Sequence, residues 1–152
     1  MNDDQSTLRQ QAVAAMRRLD ALGLNRGSTG NLSHRCARQG QEGMLITPTG
    51  MGADELSAQD MVWMGIDGTV HGDWQPSSEW HFHQAVYARR ADVQAVVHTH
   101  SVNATALACL QRELPAFHYM VAVAGGDSVQ CTPYHCFGSE ALSQAVAQAL
   151  DE

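Results

Sequence analysis

An Asp-Gly pair at positions 67 and 68 lies between two stretches with strand character, residues 61–66 and 69–70. This pair favours the two-residue turn of an antiparallel hairpin, because the turn needs positive backbone φ angles that both residues tolerate. Two further strand-like stretches, residues 32–36 and 44–46, are separated by a polar segment that contains glycine. Short strands in this arrangement predict a largely antiparallel sheet.

Several segments have helical character. Residues 7–22 place their apolar side chains on one face, and Gly23 is positioned to end that helix. Residues 80–90 predict a second helix, with Ser77 and Ser78 as its N-terminal caps. The other predicted elements are a buried strand at 93–100 and helices at 101–111 and 142–150.

The order of these elements shows no regular alternation of strand, helix and strand. We therefore predict an α+β fold in which helices flank a mainly antiparallel sheet. The length, 152 residues, suits one domain over residues 1–152.

The chain contains no lysine, so its nine basic residues are all arginines. Within this chain, a lysine Schiff base, a lysine general base and a P-loop phosphate site are therefore excluded. A net charge of −7 without a basic run argues against nucleic acid or an anionic membrane as a partner. The polar N-terminus, the lack of a long apolar run and four cysteines without zinc-site spacing predict a soluble, cytoplasmic protein.

Four of the eight histidines lie between positions 81 and 100. His98 and His100 are two residues apart on a predicted strand, so both imidazoles project to the same side. They could bind a transition metal together, or they could be a pair of partly exposed strand-end histidines. His81 and His83 have the same spacing on a predicted helix, where it places them on different faces and favours a structural role.

Glu79 follows the two serines in the predicted first turn of the second helix. A carboxylate there is favoured by the helix dipole, which is one explanation of its position. The same helix terminus could instead bind an anion such as a phosphate. The segments 26–31 (RGSTGN) and 47–50 (TPTG) could add backbone donors and hydroxyls, or could be ordinary turns.

Six strings occur in the order GSTGNLS, MLITPTGM, PSSEWHFH, VVHTHS, PAFHYM and AGGDSVQCTPY. Together they resemble the class II aldolase/adducin-like family, an α/β/α sandwich, and most closely its L-fuculose-phosphate aldolase branch. The resemblance implies that Glu79, His98 and His100 bind a divalent metal, normally zinc, with Mn²⁺ or Co²⁺ as alternatives. It also implies that Glu79 is the catalytic base.

The resemblance assigns further site residues. Tyr119 matches the family's proton donor to the aldehyde oxygen, and Phe137 matches an aromatic position beside the aldehyde. The residues implied for the substrate phosphate are Gly30, Asn31, Thr49, Gly50, Ser77 and Ser78.

In one respect the sequence departs from the family pattern. The family's third histidine ligand, in an HHG segment, would fall just beyond Glu152. We therefore expect the chain to correspond to the N-terminal two-thirds of the family domain, as a fragment or a shortened form. The family's active sites lie near subunit interfaces, which implies a homotetramer.

The implied activity is cleavage of a ketose 1-phosphate, such as L-fuculose 1-phosphate, into dihydroxyacetone phosphate and an aldehyde. Without lysine, the chain would need a metal to stabilise the enediolate. Three alternatives stay open: an aldolase or dehydratase for 5-deoxy or methylthio pentulose phosphates, a non-catalytic adducin-type binding module, and an inactive fragment. Ribulose-phosphate 4-epimerases typically have aspartate where this chain has Glu79, which argues against that branch.

Overall fold

A computed structural model of the chain describes residues 3–123 and 126–150. The strands are β1 (Asn31–Arg35), β2 (Gly43–Ile46), β3 (Val62–Gly65), β4 (Val70–His71) and β5 (Ala95–His98). The helices are α1 (Asp3–Ala21), α2 (Trp80–Arg89), α3 (Val102–Cys109), α4 (Met120–Val123) and α5 (Glu140–Ala149). The strands form one sheet in the order β4-β3-β2-β1-β5, and every neighbouring pair is antiparallel.

This arrangement confirms the predicted α+β fold, and the hairpin lies where the Asp-Gly pair predicts it. β3 and β4 pair through Met64 and Val70 on either side of the turn. The carboxylate of Asp67 accepts a hydrogen bond of 3.0 Å from the N–H of Thr69, and Gly68 has a φ of 85°. Glycine adopts a positive φ at little cost, which explains why glycine occupies the second position of this turn.

The central strands send alternate side chains to two separate cores, as the two-residue period of a strand requires. Leu45 and Trp63 pack in the core beneath α1. Their neighbours Met44 and Met64 pack on the other face, together with Tyr87 of α2. Because α1 covers one face of the sheet and α2 covers the other, with α5 packed against α2, the molecule is an α/β/α sandwich.

The first helix confirms its predicted apolar face. Ala12 and Met16 are buried against the sheet, and Leu19 packs beside them. Gly23 ends the helix with a φ of 70°, and the N–H of the next residue donates to the carbonyl of Leu19 at 2.9 Å. This is the left-handed glycine ending that the sequence predicts.

The predicted serine caps of α2 are wrong. The capping position belongs to Glu79, whose side chain makes no capping hydrogen bond. Ser77 lies just upstream, where its N–H donates to the carbonyl of Thr47 at 2.9 Å. Its hydroxyl accepts a hydrogen bond of 3.3 Å from the N–H of Glu79. The pairing with the 47–50 loop keeps Ser77 outside the helix and delays the helix start.

The predicted buried strand at 93–100 is also wrong in length and burial. The structure has the shorter strand β5, which pairs with β1 at an edge of the described sheet. Along it, exposed and half-buried side chains alternate, and Val97 is 50% exposed. α3, which follows it, buries none of its residues. Across the described ranges, no helix combines the length and apolar character needed to cross a membrane.

Candidate metal centre

Three potential metal ligands converge where β5 ends and α2 begins. One ligand atom each from Glu79, His98 and His100 lies within 4.8 Å of the other two. Glu79 is the capping residue of α2, His98 is the last residue of β5, and His100 follows two positions later. The two imidazole rings are 4.6 Å apart between centroids. The end of β5 therefore places the two imidazoles side by side, next to the Glu79 carboxylate.

The backbone around this group is fixed by neighbouring elements. His98 is paired with Asn31 in the ladder between β5 and β1. Beyond the strand, the N–H of His100 donates to the carbonyl of Leu24 at 2.9 Å and to the side-chain oxygen of Asn25 at 3.0 Å. Asn25 is itself buried. The segment after α1 thus determines where the second imidazole lies.

The Glu79 carboxylate is held from two sides. Its Oε2 accepts a hydrogen bond of 2.8 Å from the side-chain amide of Asn31. The same oxygen is 2.9 Å from Nδ1 of His98. Burial opposes ionisation of Glu79, but His98 and the amide of Asn31 outweigh it and lower the pKa of the carboxyl. The group is therefore a carboxylate at neutral pH.

Of the two histidines, His100 favours its neutral, metal-binding form. Burial, together with the neighbouring His98, lowers the pKa of His100. Nδ1 of His98 is buried, and no described residue forms a well-directed hydrogen bond with it.

These donors fit a divalent metal. Two neutral imidazoles and one carboxylate are a ligand set that zinc uses in catalytic sites, with a further position left for solvent or substrate. Nδ1 of His98 is buried without a well-directed hydrogen bond, and a bound metal would satisfy it.

The loops predicted to hold phosphate meet beside this group. The 47–50 segment is joined to residues 75–77 by the hydrogen bond from Ser77 and by a second one, 3.1 Å long, from the N–H of Thr49 to the carbonyl of Gln75. Ser77 is buried and Ser78 is exposed.

Gly30 and Gly50 both have positive φ angles, 74° and 71°. Asn31, which is also one of the six predicted phosphate residues, is buried and in contact with Glu79.

Two predicted residues lie apart from the metal ligands. Tyr119 is 75% exposed, and its ring contacts the ring of His118. Phe137 is 72% exposed. In the described part of this single chain, neither makes a hydrogen bond or ring contact with Glu79, His98 or His100.

The sequence of residues 10–152 matches the family described as Class II Aldolase and Adducin N-terminal domain. The chain belongs to this family. The class II aldolase resemblance drawn from the sequence motifs is thereby confirmed.

Curated members of the class II aldolase family are similar over nearly the whole chain. A 5-methylthioribulose-1-phosphate/5-deoxyribulose-1-phosphate aldolase from Rhodospirillum rubrum is 46% identical, over 95% of this chain and 63% of that protein. An L-fuculose phosphate aldolase from Escherichia coli strain K12 is 44% identical, over 97% of this chain and 66% of that protein. The chain therefore spans slightly less than two thirds of the length of these relatives.

Solved structures of class II aldolases share the fold. One L-fuculose 1-phosphate aldolase superposes with a TM-score of 0.87 at 38% identity, covering 99% of this chain and 69% of that one. An L-fuculose-1-phosphate aldolase from Thermus thermophilus gives a TM-score of 0.75 at 28% identity, covering 94% and 72%. The antiparallel sheet and flanking helices are thus those of the class II aldolase family.

Sequence reasoning missed two features of this candidate metal centre. The first is Asn25, which holds the backbone of His100; its only signal is a place between a helix end and a glycine-rich turn, where asparagine often bonds to nearby backbone. The second is the contact of Asn31 with Glu79, since the motifs assign Asn31 to phosphate. A long-range contact of this kind has no local signal in the sequence.

Proposed function

We propose that this chain carries the metal centre and the substrate-binding loops of a class II aldolase that acts on a ketose 1-phosphate. The observation that carries the proposal is the convergence of Glu79, His98 and His100 within 4.8 Å. The family membership and the names of the similar proteins support the same reaction class. A non-catalytic binding module would have no need of three converging ligands.

The proposed metal is zinc, with Mn²⁺ or Co²⁺ as alternatives, held by Glu79, His98 and His100. When bound, such a metal supplies Lewis-acid stabilisation of the negative charge that develops when a proton leaves a carbon next to a carbonyl. None of the 152 residues is a lysine, so this chain does not itself offer an iminium in its place.

Glu79 is the proposed general base. Its pKa is lowered despite burial, so the carboxylate is ionised and can accept a proton at neutral pH. Asn31 holds one carboxylate oxygen by a 2.8 Å hydrogen bond, which limits how the group can turn. A base must come within hydrogen-bond reach of the proton that it removes. Glu79 would therefore have to turn toward the bound substrate to act as the base.

The proposed phosphate pocket uses neutral donors. Its residues are the six assigned above: Gly30, Asn31, Thr49, Gly50, Ser77 and Ser78. The hydrogen bonds between the 47–50 loop and residues 75–77 support a shared pocket beside the metal ligands. Backbone N–H groups and hydroxyls bind phosphate well where loops and a helix terminus meet.

Tyr119 is the proposed proton donor to the aldehyde oxygen, and Phe137 the aromatic residue beside the aldehyde. Their exposure in a single chain supports an arrangement in which they serve the site of a neighbouring subunit. We therefore include a homotetramer in the proposal, and sedimentation equilibrium measures it directly. A cytoplasmic setting is also part of the proposal, because a domain of this size does not need disulfides to hold together.

Two substrates are candidates for the proposed aldolase. L-fuculose 1-phosphate is the first, and a 5-deoxy or methylthio pentulose 1-phosphate is the second, supported by the 46% identical relative from Rhodospirillum rubrum. Both yield dihydroxyacetone phosphate, so the aldehyde released tells them apart. A dehydratase would release water and no dihydroxyacetone phosphate.

The direct test follows the first proton transfer without any aldehyde. Dihydroxyacetone phosphate is incubated in D₂O with the protein encoded by the complete reading frame, and exchange of one hydrogen is followed by NMR. Glu79→Gln keeps the shape of the side chain but cannot take the proton, so exchange should slow by ~10²- to 10⁴-fold. A variant that retains its metal and exchanges at the unchanged rate would show that Glu79 is not the base.

Tyr119→Phe is the matched control. Its proposed role begins only when the aldehyde oxygen needs a proton, so it should slow cleavage and leave exchange intact. Equal damage to exchange by both substitutions would refute the proposed division of roles.

A further inference from the structure

A chain of hydrogen bonds runs through the protein interior and ends at the proposed metal centre. The phenol oxygen of Tyr87 is 2.8 Å from the hydroxyl of Ser33, which is 2.8 Å from Nδ1 of His83. Nε2 of His83 contacts the side-chain oxygen of Asn31, whose amide nitrogen reaches Glu79 at 2.8 Å. The first four residues are buried, and both Ser33 and His83 have no exposed surface.

The direction of the bonds nearest the centre follows from the donor inventory. An ionised carboxylate only accepts hydrogen bonds, so the Asn31 group that faces Glu79 must be its NH₂. The Asn31 oxygen therefore faces His83 and can only accept. It follows that Nε2 of His83 carries the proton.

The direction of the remaining bonds follows from burial. Burial is the main cause that lowers the pKa of His83 to about 3, so the ring is neutral and its Nδ1 is an acceptor. The hydroxyl of Ser33 must then donate to His83 and accept from Tyr87. Burial also raises the pKa of the Tyr87 phenol, which keeps this donor protonated. Each donor in the chain thus meets one acceptor.

Asn31 alone does not fix its own orientation, because a half-turn of the amide exchanges two groups of nearly the same shape. In the reversed orientation the amide oxygen would face the Glu79 carboxylate, and two acceptors would repel each other. The N–H of His83 adds to this preference, since it can be satisfied only when the Asn31 oxygen faces it. The hydroxyl of Ser33 accommodates this tautomer of His83, because it can donate to Nδ1 and accept from Tyr87 at the same time.

We propose that His83 is a positioning residue of the metal centre: its Nε2–H orients the Asn31 amide, which holds Glu79 toward His98 and His100. This inference rests on the proposed function only in taking Glu79 as a metal ligand. Groups bonded directly to a metal ligand, as Asn31 is to Glu79, commonly change metal affinity by about 10- to 100-fold when they are lost, and His83 acts through that group.

The test compares substitutions that differ in whether they keep the donor. His83→Gln can place an amide N–H near the position of Nε2, whereas the shorter side chain of His83→Asn occupies the Nδ1 side and does not reach Asn31. Co²⁺ affinity is measured by spectroscopic titration, alongside thermal unfolding. We expect His83→Asn to weaken Co²⁺ binding about 10-fold or more, and His83→Gln to stay within about 3-fold of the unmodified protein.

Tyr87→Phe is the control for stability alone. It removes a buried hydroxyl from the same chain of hydrogen bonds but leaves Ser33 free to donate to His83. We expect it to lower the unfolding temperature and leave Co²⁺ affinity unchanged. Equal weakening in His83→Gln and His83→Asn, no weakening in either, or a matching loss in Tyr87→Phe would each overturn the proposal.

A second measurement needs no variant of His83. ¹⁵N NMR of the unmodified protein distinguishes the two neutral tautomers, and we expect His83 in the Nε2–H form at neutral pH. An Nδ1–H tautomer would overturn the orientation argument. Co²⁺ titration of Glu79→Gln separates this inference from the proposed function: undiminished affinity there refutes the metal centre, while the tautomer still decides how Asn31 is oriented.

Discussion

His83 also links a buried residue to the acid stability of the whole fold. Its pKa in the folded chain is lowered, mainly by burial, to about 3, whereas an unfolded histidine titrates near 6.5. Below pH 6.5 the unfolded chain binds a proton that the folded chain does not, so the free energy of unfolding falls as pH falls. The free energy of unfolding continues to fall until the pH reaches the pKa of His83 in the folded chain.

Between pH 6.5 and 5, this effect alone should remove about 2 kcal/mol from the free energy of unfolding. Urea unfolding of the unmodified protein and of His83→Gln at both pH values measures it. The variant should lose about 2 kcal/mol less than the unmodified protein on acidification. An identical acid loss in the two proteins would show that His83 is protonated in the fold.

Gly30 provides a second prediction at this scale. Its φ is 74°, and a Cβ added there would lie 2.4 Å from the side-chain nitrogen of Asn25. Asn25 holds the N–H of His100, so Gly30→Ala should displace both the amide and the proposed ligand. Gly27 of the same loop has a φ of 58° and no atom within 4 Å of an added Cβ.

Gly27→Ala therefore measures left-handed backbone strain alone, which costs roughly 1–2 kcal/mol. Gly30→Ala should lower the free energy of unfolding by roughly 1–3 kcal/mol more, because it adds the clash with buried Asn25. Urea unfolding of both variants gives the comparison. Equal losses would mean that Asn25 moves aside without cost.

At the scale of elements, local chemistry predicts the elements that are specified locally. The Asp-Gly turn, the apolar face of α1 and its ending at Gly23 all lie where the sequence predicts them. The start of α2 is mispredicted because Ser77 pairs with Thr47, thirty positions away. β5 is misjudged because a β-branched run looks the same in a central and an edge strand.

The same reasoning applies to the candidate site. The spacing of His98 and His100 indicates that they share a direction, but it does not show that Glu79 faces them, since that depends on how α2 meets β5. The resemblance to the family supplied Glu79. Neither source predicted the role of Asn25, which depends on how the segment after α1 meets the end of β5. Neither predicted the contact between Asn31 and Glu79, which depends on how the start of α2 meets β1.

The junction before α2 gives a prediction about the phosphate pocket. Ser78 is exposed beside Ser77, where the proposed phosphate would lie. Ser78→Asp places a negative charge there, and two like charges a few ångströms apart near the surface repel by roughly 1–3 kcal/mol. The KM for a phosphorylated ketose should therefore rise by roughly 10- to 100-fold.

Ser78→Asn is the neutral control of the same size and should change KM much less. An unchanged KM in Ser78→Asp would remove Ser78 from the pocket. A rise of the same size in both variants would indicate a steric effect in place of an electrostatic one.

At the scale of the whole molecule, the two faces of the sheet are buried, whereas the segment that follows β5 is largely exposed. The sheet buries continuous cores on both faces. Beyond β5, by contrast, large apolar side chains are exposed on and after α3, including Leu110, Phe117 and Val123. A concentration of large exposed apolar side chains in one segment favours a contact site. It supports the proposed homotetramer, in which Tyr119 from the same region would meet a neighbouring site.

The central claim is that Glu79, His98 and His100 hold a divalent metal. The most direct measurement is the metal content of the purified chain after loading with Co²⁺ and dialysis. We predict that the unmodified chain keeps cobalt and that the His98→Ala/His100→Ala variant loses it. A His118→Ala/His135→Ala variant, which removes two histidines outside the group, should keep as much as the unmodified chain. Equal cobalt in the unmodified chain and the His98→Ala/His100→Ala variant would contradict the metal centre.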